Sequence, residues 1–141
     1  MIEIIKYRYD DEELFDLGRI VRTEVFIGEQ RVDHDIEFEF EEESIHYLLM
    51  EDAVPVATGR WRNTGLGIKL ERFAVLKEER GKGHGEAILK RILEDVLLQE
   101  IPIYLHAQVS ALGFYAKNGF IPVGEPFYEA NIEHYKMVYN G

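Results

Sequence analysis

Between an apolar run from Leu70 to Leu76 and an amphipathic segment beginning near Glu86, the chain reads Arg80-Gly81-Lys82-Gly83-His84-Gly85. No other stretch limits the fold as tightly. Glycine at every second position exposes a row of backbone N–H groups where a helix would start, so loop amides and the positive end of the helix dipole converge on one point. A phosphate fits there, and each peptide amide given to a charged oxygen contributes on the order of 1.5–3 kcal/mol. A diphosphate-bearing ligand is one reading; a turn and helix cap without any ligand is the other. The pattern is not a P-loop, because Lys82 is followed by Gly83 and not by Ser or Thr. Nor is it the dinucleotide fingerprint, whose glycines do not alternate strictly.

The 141 residues suit a single domain, 1–141, large enough to bury a core without cross-links. With no cysteine there is no disulfide framework, no thiolate zinc site and no cysteine nucleophile. Met1-Ile2-Glu3-Ile4-Ile5-Lys6-Tyr7 alternates like a strand and lacks the order of a signal peptide, and no apolar run reaches membrane-spanning length. A soluble, cytoplasmic protein is expected. The formal net charge of -11, from 27 acidic and 16 basic residues, argues against nucleic acid or an anionic membrane as partner. Much of the excess lies between Asp33 and Glu43, where Glu37, Glu39, Glu41, Glu42 and Glu43 cluster. This segment is either a solvated loop or a negative rim that draws a cationic substrate such as an amine. No metal site is expected: the five histidines are scattered without a close carboxylate partner, and Asp33, Asp35 and Glu37 lack the glycine and spacing of a calcium hand. A serine-nucleophile elbow, Gly-x-Ser-x-Gly, is also missing.

Periodicity predicts a strand from Ile2 to Tyr9, then a helix capped by Asp10-Asp11 and running from Glu12 to Phe26, with Leu14, Leu17, Val21 and Val25 on one face and Gly28 ending it. Strands follow at Ile45 to Met50, Val54 to Arg62 and Ile68 to Leu76. After the glycine loop, Ile88, Leu89, Ile92, Leu93, Val96 and Leu97 form the apolar face of a helix. Ile101 to Leu105 suits a strand buried on both faces, Ser110 caps a short helix to Asn118 stopped by Gly119, and Ile132 to Tyr139 closes the sheet. Tyr128, Tyr135 and Tyr139 suggest either an exposed edge strand able to support a homodimer or half-buried strand positions. The order is that of a mixed α/β domain.

Two signatures in this order resemble the GNAT family of acetyl-CoA-dependent N-acetyltransferases, over nearly the whole chain. Phe73-Ala74-Val75 followed by Arg80 to Gly85 is similar to the family's Arg-x-x-Gly-x-Gly acyl-CoA loop and its preceding strand. Ala111, Phe114-Tyr115 and Gly119-Phe120 are similar to its Ala-x-x-x-Tyr-x-x-x-Gly-Phe element. Arg22, Val25-Phe26, Glu29-Gln30, His46, His106 to Gln108 and His134-x-x-Met137 resemble the ElaA-like and YjcF-like bacterial subgroup. Lys77 and Gln108 depart from the proline and asparagine common at their places. The resemblance implies a single GNAT-like domain with a mixed sheet of about six or seven strands, about four helices and a splay at the acyl-CoA site. It further implies an enzyme that passes the acetyl group of acetyl-CoA directly to an amine, most simply that of a small cationic molecule.

On that resemblance the pantetheine arm pairs with Phe73, Ala74 and Val75. The diphosphate meets Arg80, Gly81, Lys82, Gly83, His84 and Gly85, and a backbone N–H near Phe73 or Val75 holds the oxyanion. Gln108 keeps an amide for the cofactor. Tyr115 is the candidate general acid, against a packing role, since a phenol is protonated at neutral pH. Glu71 is the candidate general base, on the face that simple alternation shares with Phe73 and Val75; its alternative is a cross-strand ion pair with Arg60, Arg62 or Arg72. Glu29 and His134 are rival candidates near the substrate, while His46 and His106 read equally as satisfied core histidines. The competing functional class is a regulatory module that binds acyl-CoA without turning it over.

Overall fold

The computed structural model describes residues 1–33 and 38–141. Strands β1 Ile2–Tyr7, β2 Ser44–Glu51, β3 Val54–Thr64, β4 Gly67–Val75, β5 Ile103–Gln108, β6 Phe120–Glu129 and β7 Ile132–Tyr139 form one sheet in the order β1-β2-β3-β4-β5-β7-β6. Its neighbours are antiparallel except β4 and β5, which run parallel. Helices α1 Glu12–Arg22, α2 His84–Val96 and α3 Leu112–Ala116 are the three α-helices among the described residues, one fewer than expected. No described helix is long and apolar enough to cross a membrane.

The sheet separates two cores. On one face α1 begins at Asp11, whose Oδ1 accepts from the Leu14 N–H at 3.2 Å, and carries Val21 to a small buried cluster with Val25, Phe26 and Ala74. On the other, α2 buries Ile88, Leu89, Ile92, Leu93 and Val96 against Leu49, Ile68, Leu70, Leu105 and Met137. These five α2 residues are the predicted apolar stripe, and each fully buried side chain contributes about 1.5–3 kcal/mol.

Several local expectations are corrected. The first helix does not run as an α-helix to Phe26: from Thr23 to Glu29 it continues as a π-helix, with the Gln30 N–H donating to the Val25 carbonyl, so Gly28 does not stop it. Such widened turns mark functional sites, and this one brings Val25, Phe26 and Gln30 to a cleft described below. Ser110 is not a cap, because Val109–Ala111 is a 3-10 turn and α3 starts without a side-chain cap. Gly119 does end α3, at φ +95°. β6 escaped prediction because Pro122, Gly124 and Pro126 interrupt it; an edge strand tolerates prolines, and the β6–β7 register slips between Val123 and Phe127. The edge strand near the C-terminus is therefore β6, opposite β1 at the other edge, and β7 lies inside the sheet. Of the three tyrosines only Tyr128 is exposed, at 73%, while Tyr135 and Tyr139 are half-buried on an inner strand.

Two irregularities in β4 shape the site. Arg60 faces Glu71 but Thr58 faces Ala74, so β4 bulges at Arg72 and Phe73 opposite Gly59, with Arg72 at φ +60°. The bulge shifts the alternation: Phe73 and Val75 pack with the α2 core while Glu71 remains on the α1 side with Arg60, contrary to the shared face expected. Glycine is required at position 59, where a Cβ would lie 2.8 Å from Ile88 Cγ2 and 3.1 Å from the Phe73 ring. β4 and β5, moreover, pair only at Ile68↔Ile103, Lys69↔Tyr104 and Leu70↔Leu105. Beyond Leu70 the two strands diverge, and the sheet opens into a V.

Candidate active site

The V is the mouth of a cleft of about 780 Å³ whose floor is Phe73, Ala74 and Val75. One half runs to the glycine loop and α3, past Arg80, Gly81, Gly83, Gly85, Ala111, Phe114 and Tyr115; the other runs past Lys69, Glu71, Arg72, His106, Gln108, Glu129 and His134.

At the loop end, Gly81 and Gly83 adopt φ +83° and +81°, which L side chains rarely reach, and a Cβ at either would meet nothing within 4 Å among the described residues. Gly85 is different: its φ is not left-handed, and a Cβ there would make ordinary contacts with Val75 and Phe114. α2 has no side-chain cap, and its first bond runs from the Ala87 N–H to the Gly83 carbonyl, so the amides of His84, Gly85 and Glu86 have no acceptor within the helix. Arg80 does not stand free at the rim. It donates to both Glu29 carboxylate oxygens at 2.7 and 2.9 Å and, through Nε, to the Val75 carbonyl at 2.9 Å. Glu29 is thereby tied to the loop and does not line the cleft. Lys82 pairs with Glu79 at 3.0 Å.

At the other end a charged network runs inward from the cleft. Glu71 accepts from Arg60 at 2.7 and 3.1 Å and from Arg62 at 2.6 Å, with Lys69 at 3.4 Å and Arg72 at 4.0 Å. Burial alone would raise its carboxyl, yet Arg60, Arg72, Lys69 and the Arg62 hydrogen bond bring it down to about 2. Behind it Glu41 pairs with Arg22 at 2.8 Å, Arg60 at 3.1 Å and His46 at 3.2 Å. The acidic segment is thus neither wholly solvated nor a simple rim: Glu41 is an internal counter-ion, whereas Glu42 and Glu43 are exposed. Asp35 and Glu37 lie outside the described residues. His46 is a satisfied core histidine; burial above all, then Arg22, Arg60 and Arg8, push it down to about 3.

Three further side chains converge here. His134, buried on β7, has Nδ1 2.6 Å from the Ile132 carbonyl. A carbonyl only accepts, so Nδ1 is the donor and the neutral ring keeps its lone pair on Nε2. His106 Nδ1 lies 3.1 Å from Glu129 Oε2, and Gln108 Nε2 donates to Gln30 Oε1 at 2.9 Å. Tyr115 is buried among Phe73, Phe114 and Phe120, with ring centroids 6.0, 5.0 and 6.0 Å away, and burial pushes its phenol up. Sequence reasoning missed that histidines pair closely with carboxylates: His46 with Glu41, His106 with Glu129, and His84 near Glu51 and Glu79. Glu129 and Glu51 are distant in sequence from their histidines, while Glu41 and Glu79 lie five residues before theirs across a turn or loop, a spacing that marks no ligand face on a helix or strand.

A model of the acetyltransferase (GNAT) domain matches residues 5–140. The chain belongs to the GNAT acetyltransferase family. It is 40% identical over 134 residues to the uncharacterized N-acetyltransferase YjcF of Bacillus subtilis (strain 168), covering 92% of this chain and 94% of that one. Among solved structures, Escherichia coli ElaA superposes with a TM-score of 0.85 at 26% identity, over 99% of this chain and 100% of the other. An acyl-CoA N-acyltransferase from Pseudomonas aeruginosa does so with a TM-score of 0.85 at 25% identity, over 99% of both chains. The ElaA- and YjcF-like type implied by the sequence is the one these GNAT relatives represent, and the α/β fold is theirs.

Proposed function

We propose that this protein transfers the acetyl group of acetyl-CoA directly to the amine of a small molecule. The observation that carries the reading is the divergence of β4 from β5 after Leu70, which frees a strand edge leading to the uncapped start of α2. The pantetheine amides would pair along Phe73, Ala74 and Val75 as a further strand does, and the diphosphate would take the loop amides from Gly81 to Glu86. The likeness to the acyl-CoA N-acyltransferase of Pseudomonas aeruginosa supports an acyl-CoA donor.

In this reading the amine nitrogen attacks the thioester carbon, an N–C bond forms and the C–S bond breaks. Glu71 is a poor base for the amine's proton, because its surrounding cations hold the carboxylate ionised down to about pH 2. His134 Nε2, directed by the Nδ1 bond to Ile132, is the better assignment. Burial moves the Tyr115 phenol up, away from the range of a thiol, so complete proton transfer to sulfur would be uphill. Its role is to donate a hydrogen bond to the developing thiolate. A cationic acceptor is favoured by Glu129 in the cleft and by the longer-range field of the exposed Glu42 and Glu43, which do not line it, since Glu41 is turned inward.

Calorimetry with acetyl-CoA tests the donor, and thiol release across a panel of amines tests transfer. Binding with turnover of at least one amine is expected; binding without turnover would mark a non-catalytic acyl-CoA module, and no binding at millimolar acetyl-CoA would end both readings. His134→Gln and Tyr115→Phe should each lower kcat by about 10²-fold. Glu42→Gln with Glu43→Gln should raise KM for a cationic amine at low salt and less at high salt.

A further inference from the structure

Beneath the glycine loop, three side chains from separate segments meet: Glu51 from the end of β2, Glu79 from the turn before the loop, and His84 from the first position of α2. One ligand atom from each lies within 4.8 Å of the others. His84 Nε2 is 3.8 Å from Glu51 Oε1 and 4.0 Å from Glu79 Oε1, beyond hydrogen-bond reach of either. The imidazole is only 3% exposed, and its Nε2 has no hydrogen-bond partner among the described residues. A buried polar atom without a partner is destabilising, and here it faces two carboxylate side chains that offer it no bond.

From this arrangement we propose that Glu51, Glu79 and His84 bind one divalent transition-metal ion of the zinc type. One cation placed between the three atoms would satisfy the orphan nitrogen and neutralise both carboxylates together. With metal–ligand distances of about 2.0–2.2 Å, tetrahedral ligands stand roughly 3.4 Å apart. The two histidine–carboxylate separations of 3.8 and 4.0 Å must therefore shorten by about half an ångström and the carboxylates, within 4.8 Å of each other, by up to about 1.4 Å, within reach of two glutamate side chains turning about their own bonds. The imidazole donor selects zinc, cobalt or nickel over magnesium and calcium, which prefer all-oxygen shells. Lys82 Nζ, 3.0 Å from Glu79 Oε1, pairs with the same carboxylate oxygen and would compete with the metal for it. Bound metal would lock the β2–β3 hairpin to the loop and to the start of α2.

The test uses the full chain, stripped with chelator and titrated with Co²⁺ by visible absorption and with Zn²⁺ by equilibrium dialysis. One equivalent per chain is expected, with the absorption of a nitrogen- and oxygen-ligated Co²⁺. Glu51→Gln and Glu79→Gln should each weaken binding by about 10-fold or more, since even outer-shell partners of a metal site carry about 10–100-fold. Lys82→Gln should tighten it by up to about fivefold, the most an exposed ion pair opposes. His84→Gln should abolish it, and Glu51→Gln, outside the loop and helix, carries the test by itself should the His84 variant fail to fold. The proposal is overturned if the wild-type chain takes up no stoichiometric metal, or if uptake survives both glutamate substitutions, which would assign the ion to another histidine–carboxylate pair such as His106 and Glu129.

Discussion

Along the glycine loop the cleft is walled by backbone, with Gly81 and Gly83 in left-handed conformations and the start of α2 uncapped; at its far end it is walled by Lys69, Glu71 and Arg72, whose charges run back through Arg60 to Glu41 and Arg22. The first wall is made of consecutive residues and meets solvent. The second is drawn from β2, β3, β4, α1 and the segment before β2, and its central guanidinium, Arg60, is 1% exposed. A backbone site tolerates change in its side chains but not in its φ angles. A buried ionic site does the reverse, because every charge depends on partners that solvent cannot replace.

The largest effect should therefore follow from removing one charge at the ionic end. Glu71→Gln leaves Arg60 without its main counter-ion and should cost about 3–5 kcal/mol of stability by denaturant unfolding. A loss below about 1 kcal/mol would mean that the network behaves as a solvated surface, and the contrast between the two walls would fail. The same variant separates structure from chemistry: if Glu71 is not the base, kcat per folded molecule should fall far less than with His134→Gln.

Acid should act at the same end. His46 is held neutral with a pKa of about 3 against 6.5 for an ordinary histidine, so between these values the unfolded chain binds a proton that the folded chain refuses. Its contribution to stability is intact above pH 6.5 and is lost as pH falls, by about 2 kcal/mol between pH 6.5 and 5. Glu71, depressed to about 2 from 4.5, adds a second loss once the pH drops below 4.5. Unfolding midpoints measured from pH 7.5 to 5 should decline, and His46→Gln should flatten that decline.

At the backbone end, Gly83→Ala should cost about 1–2 kcal/mol, all of it from the left-handed φ of +81°, since a Cβ there has open space. Its methyl would project into the volume assigned to the diphosphate, so acetyl-CoA affinity should drop as well. Gly85→Ala sharpens the comparison. With no left-handed φ and only ordinary contacts at 3.6 and 3.7 Å, it should leave stability unchanged or raise it by up to about 0.5–1 kcal/mol, as alanine does in helices. Equal losses at both positions, read by thermal melts, would show that crowding and not backbone conformation governs the loop.

The same contrast explains what could be read from the chain alone. The glycine loop and the α2 stripe are local patterns found where periodicity and turn chemistry predict them, while β5 is present but shifted, starting at Ile103 after Pro102 and running on to Gln108 instead of spanning Ile101 to Leu105. Gly85 read like its neighbours because spacing does not reveal φ. The bulge at Arg72 was invisible because an extra residue in a strand changes no composition, yet it moved Phe73 and Val75 away from Glu71. β6 was hidden by prolines that are harmless on an edge. Glu41 looked like one more member of an acidic run, and only the packing of α1 across β3 distinguishes it from the exposed Glu42 and Glu43.

The smallest effect belongs to the contact that joins the two modes of construction. Arg80 and Glu29 form a two-pronged pair between the glycine loop and the end of the π-helical turn, but the side chains are 41% and 40% exposed, so water and salt can replace either partner. Glu29→Gln should cost about 0.2–1 kcal/mol, less at high ionic strength. Its consequence should instead appear in binding: an Arg80 released from Glu29 can swing toward the diphosphate, so acetyl-CoA affinity should hold or improve at low salt. A marked loss of affinity in this variant would show that the pair is needed to shape the loop, and that the backbone end leans on side-chain charge after all.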